Sequence, residues 1–493
     1  MLRREMTSLL AKEKQHELGQ FLTPAPTARF MASLFGKPPR EVQLLDAGAG
    51  AGALSAALVS RWCSGTHKPR SVVITAYEAD SEIIPHLERT YAECEVSCEE
   101  AGIEFHGEIH AGDFIEGVLP LIRGDLFTSP QTPFNAAILN PPYRKIQSDS
   151  ATRLLLRSAG IETSNLYTGF LALAAKLLAE GGEMVAITPR SFCNGPYFKP
   201  FRAQFLSHMS LRRLHLLDSR STAFRADDVL QENIIVHAVK SAAKPARVIV
   251  SISKGAPDQD APARDRAYSE IVSPDDPEQF IHLVTDDAQE HARRSVRQLS
   301  TPLQSLGLEV STGRVVDFRA RDFLLPESDT ASFPLIYPCH FRAGFVHWPL
   351  TPSRKPNAIR DTEKTQELLL RSGIYVLVKR FTSKEERRRI VACIYDPKRI
   401  PSEKVGFENH LNYFHARGEA LPMNLAKGLA AYLNSTVVDS YFRQFNGHTQ
   451  VNATDLRNLP YPSRQQLDQL GKRIPDVFPA QSALDELVTN TIS

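Results

Sequence analysis

The sequence predicts an α/β fold, with a Rossmann-like, mostly parallel sheet in the first half and a second module of mixed structure after it. Two observations carry this. From about residue 42 to 240, apolar strand-like runs alternate with amphipathic helical stretches, the pattern of a parallel sheet with helices between its strands. From about residue 301 that regularity gives way to shorter runs with more aromatic residues and many prolines. The chain has 493 residues, 42% of them hydrophobic, which is enough for two or three domains.

The strands expected in order are VQLLD, SVVITAYE, the run around EIHAGD, FNAAILN, EMVAITP, RRLHLLD and ENIIVHAVK. Among the helices, NLYTGFLALAAKLLAE places Phe170, Leu173, Ala174, Leu177 and Leu178 at helical spacing, and Gly181-Gly182 is expected to close it. Residues 240 to about 300 become rich in Pro, Asp and Ala but keep apolar runs such as ARVIVSIS, so they read as a packed connector. The expected division is therefore 1–240 for the sheet domain, 241–300 for the connector and 301–493 for the second module. No repeat or low-complexity tract is visible.

Charged residues make up 23% of the chain and the net charge is +2, which neither demands nor excludes nucleic acid. No run approaches the roughly 20 apolar residues that span a bilayer, and the start is polar, without the apolar core of a secretory signal. A cytoplasmic protein without a membrane partner is expected. The six cysteines, Cys63, Cys94, Cys98, Cys193, Cys339 and Cys393, lack the paired spacing of a zinc site and read as reduced thiols. Cys94 and Cys98 lie one helical turn apart; one such pair can share a metal but more often does not, and no metal site is expected.

Asp46, Ala47 and the glycines Gly48, Gly50 and Gly52 follow the first strand and open a helix. Glycine lets the backbone turn tightly and approach a ligand at the carboxyl edge of a sheet. Such a loop serves nucleotide-like cofactors and also occurs as plain packing. The next strand ends in Glu78, which can accept from both hydroxyls of a ribose or cap the following helix. A third strand end brings Asp113, an acceptor for the exocyclic amine of an adenine, and Phe114, a ring to flank it. Three acids at three successive strand ends fit an adenosine. The GxxxxGK[ST] pattern is missing from the first turn, which argues against ATP.

The fourth strand runs into Asn140-Pro141-Pro142-Tyr143, the most specific element of the chain. Two prolines fix φ twice and remove two donors, leaving a rigid bend that exposes carbonyl oxygens. The Asn140 side-chain oxygen and the Pro141 main-chain oxygen can together accept from one planar NH2 group, and Tyr143 offers a ring to stack on it. Two fixed acceptors would return electron density to the nitrogen and align it with a methyl on a cofactor sulfonium. The bland alternative is a rigid loop.

On these motifs the chain resembles the gamma class of adenine-N6 DNA methyltransferases, the group of the TaqI methylase. Gly19-Gln-Phe21-Leu-Thr23-Pro24 is similar to the family's N-terminal element, and the resemblance implies that Thr23 contacts the methionine carboxylate of S-adenosylmethionine. It implies Asp46 to Gly52 as the cofactor loop, Glu78 as the ribose acid, Asp113-Phe114 as adenine contacts and Asn140 to Tyr143 as the catalytic motif. Phe224 falls near the place of an aromatic that sandwiches the flipped base, though it could equally be core packing. The likeness covers roughly residues 19 to 240, and segments such as Val310 to Arg319 and Asn452 to Pro462 resemble the PstI and BsuBI methylase group. That subgroup implies methylation of the adenine in CTGCAG, double-stranded DNA as partner, and a cognate restriction endonuclease for the same site.

An adenine in a duplex must swing out to be methylated, so the second module is expected to grip and read DNA as a target-recognition domain. Arg314, Arg319, Arg321, Lys379, Arg380 and Arg387 to Arg389 are candidates for phosphate contact, though a charge run is more often a solvated face. Gln444, Asn446, His448, Gln450 and Asn452 form a polar stretch that could read base edges or be an exposed loop. Two rivals stay open: a protein-glutamine methyltransferase, since the same tetrapeptide can orient an amide nitrogen, and a non-catalytic DNA specificity module. A fused nuclease is not expected, because about twenty residues precede the first motif and no metal-binding acid cluster is evident.

Overall fold

Alternation along the strands dictates two cores. Leu44, Ile138 and Val185 face one layer of helices, while their neighbours Leu45, Leu139 and Ala186 face the other, as a parallel sheet buried on both sides requires. The computed structural model describes residues 23–123, 132–217, 232–253, 255–258, 260–284, 287–382, 386–446 and 450–492. Two compact units divide the chain, Met1–Thr285 and Asp286–Ser493.

In the first unit the elements are α1 (Ala25–Ser33), β1 (Glu41–Ala47), α2 (Ala53–Ser64), β2 (Ser71–Glu78), α3 (Ile84–Ala101), β3 (Glu104–Ala111), α4 (Phe114–Arg123), β4 (Phe134–Leu139), α5 (Ala151–Ser158), α6 (Leu166–Leu177), β5 (Leu178–Pro189), α7 (Lys199–His208), β6 (Met209–Leu217), β7 (Asn233–Lys240), β8 (Arg247–Ser253) and β9 (Ala263–Ala267). They form one nine-stranded sheet ordered β3-β2-β1-β4-β5-β7-β6-β8-β9. Pairs among β1 to β5 are parallel, and β7 enters antiparallel between β5 and β6. All seven expected strands are present. Phe30, Met31, Leu58, Trp62 and Leu87 cover one face, and Ile115, Phe170, Leu171, Phe201 and Phe205 the other.

The strand order reverses between β1 and β4, and open α/β sheets take ligands at the carboxyl ends of their strands at such a switch point. Ala47 is paired with Leu139, so Gly48 and Asn140 leave the sheet side by side on neighbouring strands.

Two expectations need correction. The helix expected to end at Gly181-Gly182 stops at Leu177, because Leu178 turns extended with ψ of 144°. The glycines lie inside β5, where the pairing with β4 jumps from Leu178 to Glu183. The expected connector of 241–300 is also divided between the units. β8 runs parallel to β6 and buries Val248 and Val250 in the first unit's core, while the helix Asp287–Arg297 belongs to the second unit and packs on Thr436–Phe445.

The second unit is mixed. Strands Glu309–Thr312, Leu411–His415, Tyr375–Lys379, Ala392–Tyr395, Phe345–Val346 and Phe341–Arg342 form a six-stranded sheet in that order. Five shorter strands, Leu324–Leu325, Ala358–Arg360, Ser332–Ile336, Lys404–Phe407 and Leu369–Arg371, make another. Tyr375, Leu377, Tyr395, Phe407 and Tyr413 pack together in its main core. Helices Met423–Leu433 and Arg464–Arg473 meet backbone to backbone: a Cβ on Gly428 would lie 1.9 Å from the Leu467 carbonyl oxygen. Among the described residues no helix is long and apolar enough to cross a membrane.

Candidate active site

The loop after β1 is held by its backbone. Gly48, Gly50 and Gly52 have φ of 74°, 57° and 79°, a region that glycine enters without steric cost. Gly48 and Ala49 both donate to the Tyr77 carbonyl oxygen at 3.0 Å, pinning the loop to the end of β2. Glu78 completes the clamp: Oε2 accepts from the Gly50 amide at 2.8 Å and Oε1 from the Asp80 amide at 2.7 Å. The residue expected at a ribose is thus also the residue that fixes the loop.

Asp46 is fully buried and turned inward, where Oδ2 accepts from Ser55 Oγ at 2.5 Å and Oδ1 has no hydrogen-bond partner among the described residues. Burial pushes its carboxyl up to about 7, against the Ser55 hydrogen bond and with a smaller push from Glu78. Ala47 is buried beside it. Asp113 is exposed at the end of β3, and its Oδ1 accepts from the amides of Ile115 at 2.8 Å and Glu116 at 3.1 Å, capping α4. Phe114 corrects an expectation. It is 2% exposed and packed between Tyr77 and Phe170, with ring centroids at 5.3 and 4.9 Å, so it offers no open face. The ring nearer solvent at this corner is His110, stacked on Tyr77 at 4.7 Å.

At the end of β4, Pro141 is buried while Asn140, Pro142 and Tyr143 are half-buried. The Asn140 amide is gripped on both sides. Its Nδ2 donates to the Thr23 hydroxyl at 2.9 Å, and its Oδ1 accepts from the Tyr143 hydroxyl at 3.1 Å. The Tyr143 hydroxyl also lies 3.3 Å from the Ile187 carbonyl oxygen, and burial pushes its phenol well above the usual range. Tyr167 meets the Tyr143 ring edge-on at 6.2 Å, and its own hydroxyl shares a 2.7 Å hydrogen bond with Ser191. Thr23, Asp46 to Gly52, Glu78, Asp113 and Asn140 to Tyr143 therefore lie at or beside the carboxyl ends of β1 to β4. Phe224 and Gly19 to Phe21 lie outside the described residues.

Sequence reasoning missed Ser55, Tyr167, Ser191 and the bond between Thr23 and Asn140. Tyr167 was visible only as a helix position. The Thr23 contact spans 117 residues, and no local pattern announces it.

Among the described residues no group of three His, Cys, Asp or Glu could hold a metal. Cys94 and Cys98 are buried along α3, with the Cys98 sulfur 3.8 Å from that of Cys63.

In the second unit Arg314, Arg319 and Arg321 are exposed, and Lys379 and Arg380 are half-buried. Arg389 is 1% exposed, donating to Thr382 Oγ1 at 3.2 Å and Asn446 Oδ1 at 2.9 Å, so it is no phosphate contact. Gln444 and Asn446 are corrections of the same kind. Gln444 is fully buried and donates to the Gln289 carbonyl oxygen, and Asn446, 3% exposed, donates to Gln450 and Asp455. Neither can reach a base edge. His448 lies outside the described residues.

The sheet, with β7 antiparallel between β5 and β6, is that of the Rossmann-like methyltransferases, and the clamped loop and tetrapeptide lie at the carboxyl ends of its parallel strands. The family model of the Eco57I restriction-modification methylases matches residues 95–224. Type II methyltransferase M.PstI of Providencia stuartii is 43% identical over 491 residues, covering 100% of this chain and 96% of that protein. Type II methyltransferase M.BsuBI of Bacillus subtilis is 43% identical over 492 residues, covering 98% and 96%. The solved type IIG restriction endonuclease BpuSI is similar with a TM-score of 0.46 and 13% identity, over 97% of this chain and 67% of that one. The chain belongs to the type II methyltransferases of restriction-modification systems and is a DNA methyltransferase.

Proposed function

We propose that this chain transfers a methyl group from S-adenosylmethionine to the N6 amine of an adenine swung out of duplex DNA, as the modification enzyme of a restriction-modification system. The observation that carries this reading is the Asn140 amide, held between Thr23 and Tyr143 beside the glycine loop.

The donor set at the strand ends fits an adenosine-bearing cofactor. Asp113 keeps one carboxyl oxygen for an exocyclic amine, and a carboxylate has about four acceptor positions, so Glu78 can clamp the loop and still receive ribose hydroxyls. When bound, that cofactor supplies an electrophilic methyl on a sulfonium.

The remaining work falls to this chain's own groups. The lone pair of an adenine amine is delocalised into the ring, so the nitrogen needs acceptors that draw its protons and hold its plane. Nδ2 donates to Thr23, which turns Oδ1, the side-chain acceptor of Asn140, to the other side, where the Tyr143 hydroxyl steadies it. The rigid Pro141-Pro142 bend sets the main-chain acceptor beside it. Preorganised acceptors of this kind act through orientation and electrostatics. Thr23 accepts from Asn140 and so keeps its hydroxyl proton to donate, which suits the carboxylate expected there.

Residues 301–493 would then bind and read the duplex, offsetting the few kcal/mol needed to unstack the target base. The proposed site is CTGCAG, with a partner endonuclease cutting the same sequence in the cytoplasm. The test is to incubate the chain with labelled S-adenosylmethionine and either duplexes containing CTGCAG, duplexes lacking it, or a glutamine-bearing polypeptide. Nucleoside mass spectrometry should find N6-methyladenine from the first alone. Label in the polypeptide, or none in DNA, would overturn the reading; label in both duplexes would overturn only the site.

A further inference from the structure

A single exposed apolar residue is ordinary, but an exposed ring that carries a cation on its face is a recognised binding arrangement. Phe318 is 77% exposed on the short helix Asp317–Ala320, and Phe381 is 40% exposed just beyond the strand Tyr375–Lys379. Each lies under an arginine from its own segment: the Arg319 guanidinium is 5.5 Å from the Phe318 centroid, and that of Arg380 is 5.6 Å from the Phe381 centroid.

The segments that lead into the two rings flank one turn, Glu408 to His410. On one side Val315 accepts from the Asn409 amide at 2.8 Å and donates to the Phe407 carbonyl oxygen at 3.1 Å. On the other, the Arg380 amide donates to the His410 carbonyl oxygen at 2.8 Å, and the Phe381 ring packs on the His410 ring at 4.8 Å. Both segments of this strip carry cations, Arg314, Arg319 and Arg321 on one and Lys379 and Arg380 on the other. Of the acids beside them, Asp317 is engaged by Lys355 at 2.8 Å and by the Tyr337 hydroxyl at 2.8 Å, Glu408 is buried in the turn and accepts from the His410 amide at 2.9 Å, and Asp322 is exposed.

An aromatic face beside a cation suits a nucleobase next to its phosphate, because the ring stacks on the base while the guanidinium meets the backbone. A protein partner would want an apolar surround, which this strip lacks. We propose that Phe318 enters the base stack of the bound duplex as a wedge, with Phe381, braced by His410, as a second stacking face. This rests on the reading of the chain as an enzyme acting on duplex DNA, and adds to it which side chains enter the stack.

The experiment uses the full chain and a fluorescein-labelled duplex containing CTGCAG. Phe318→Ala should weaken binding about tenfold, the loss typical of one base–aromatic stack, while leaving the dependence of affinity on salt unchanged, since no charge is removed. S-adenosylhomocysteine binding should be unaltered, which shows that the variant is folded. Phe318→Trp should restore binding, and its indole emission beyond that of the wild-type chain, which has Trp62 and Trp348, should be quenched by saturating unlabelled duplex but not by S-adenosylhomocysteine alone. Wild-type binding by Phe318→Ala, or indole emission indifferent to the duplex, overturns the wedge. A wild-type chain that neither binds nor methylates the duplex would instead overturn the underlying reading.

Discussion

The corner at β1 and β4 and the polar stretch around Gln444 both announced themselves in the sequence, yet only at the corner does the backbone take the geometry that its residues suggested. At the corner the informative residues are glycine and proline, which are chosen for backbone dihedrals, and a dihedral is a local property. Gly48, Gly50 and Gly52 take positive φ whatever lies across the sheet. Around Gln444 the informative residues are polar side chains, and their role depends on burial. Arg389, Gln444 and Asn446 look like a DNA-reading edge but are inner struts, tied to partners as much as 155 residues away. Motifs written in backbone geometry survive the step from sequence to structure; motifs written in side-chain polarity do so only when exposure is known.

The largest effect should come at the corner. Asn140→Ala removes the preorganised acceptor and is expected to lower the rate of methyl transfer by about a thousandfold, the scale of one such group in other enzymes. The clamp of Gly50 on Glu78 is untouched, so calorimetry should show S-adenosylhomocysteine affinity within a few-fold of wild type. Near-normal turnover would mean that the tetrapeptide is a rigid loop and that the first region misleads as the second does.

Next comes Arg389→Ala. Truncation strips a buried partner from Thr382 and Asn446, and leaving such groups unmatched costs roughly 3 kcal/mol. Thermal denaturation should show the second unit melting several degrees lower, with the salt dependence of DNA affinity unchanged. If the melting point held and the salt dependence flattened, Arg389 would be a phosphate contact and the contrast between the regions would fail.

Much of the first unit was legible because each strand is a short apolar run bounded by turn residues, as strands buried on both faces require. What escaped was decided at a distance. The end of α6 at Leu177 depends on Leu178 pairing with Phe134, and ARVIVSIS joins the sheet because β6 offers a free side. Thr23 is the instructive case. The family resemblance implied a contact with the cofactor, whereas the Thr23 hydroxyl accepts from the Asn140 amide. Thr23→Val, which keeps the shape and loses the hydroxyl, should lower the turnover number about tenfold at saturating cofactor and DNA, and Thr23→Ser should recover most of it. A rise in the cofactor KM alone would return Thr23 to a purely cofactor role.

The smallest effect sharpens the comparison most, because it concerns one residue type in two settings. Arg319 and Arg389 are alike in sequence, each next to other cations, but Arg319 is exposed and Arg389 is not. A phosphate contact releases condensed counterions, so Arg319→Ala should make the plot of log affinity against log salt shallower by about one unit and weaken binding only a few-fold at physiological salt. Its melting temperature should not move, since an exposed side chain contributes little to folding. Fluorescence anisotropy across a salt series checks this. Equal slopes for Arg319→Ala and wild type would remove Arg319 from the DNA surface, leaving Phe318 without its cation and exposure alone insufficient to pick out a reading edge.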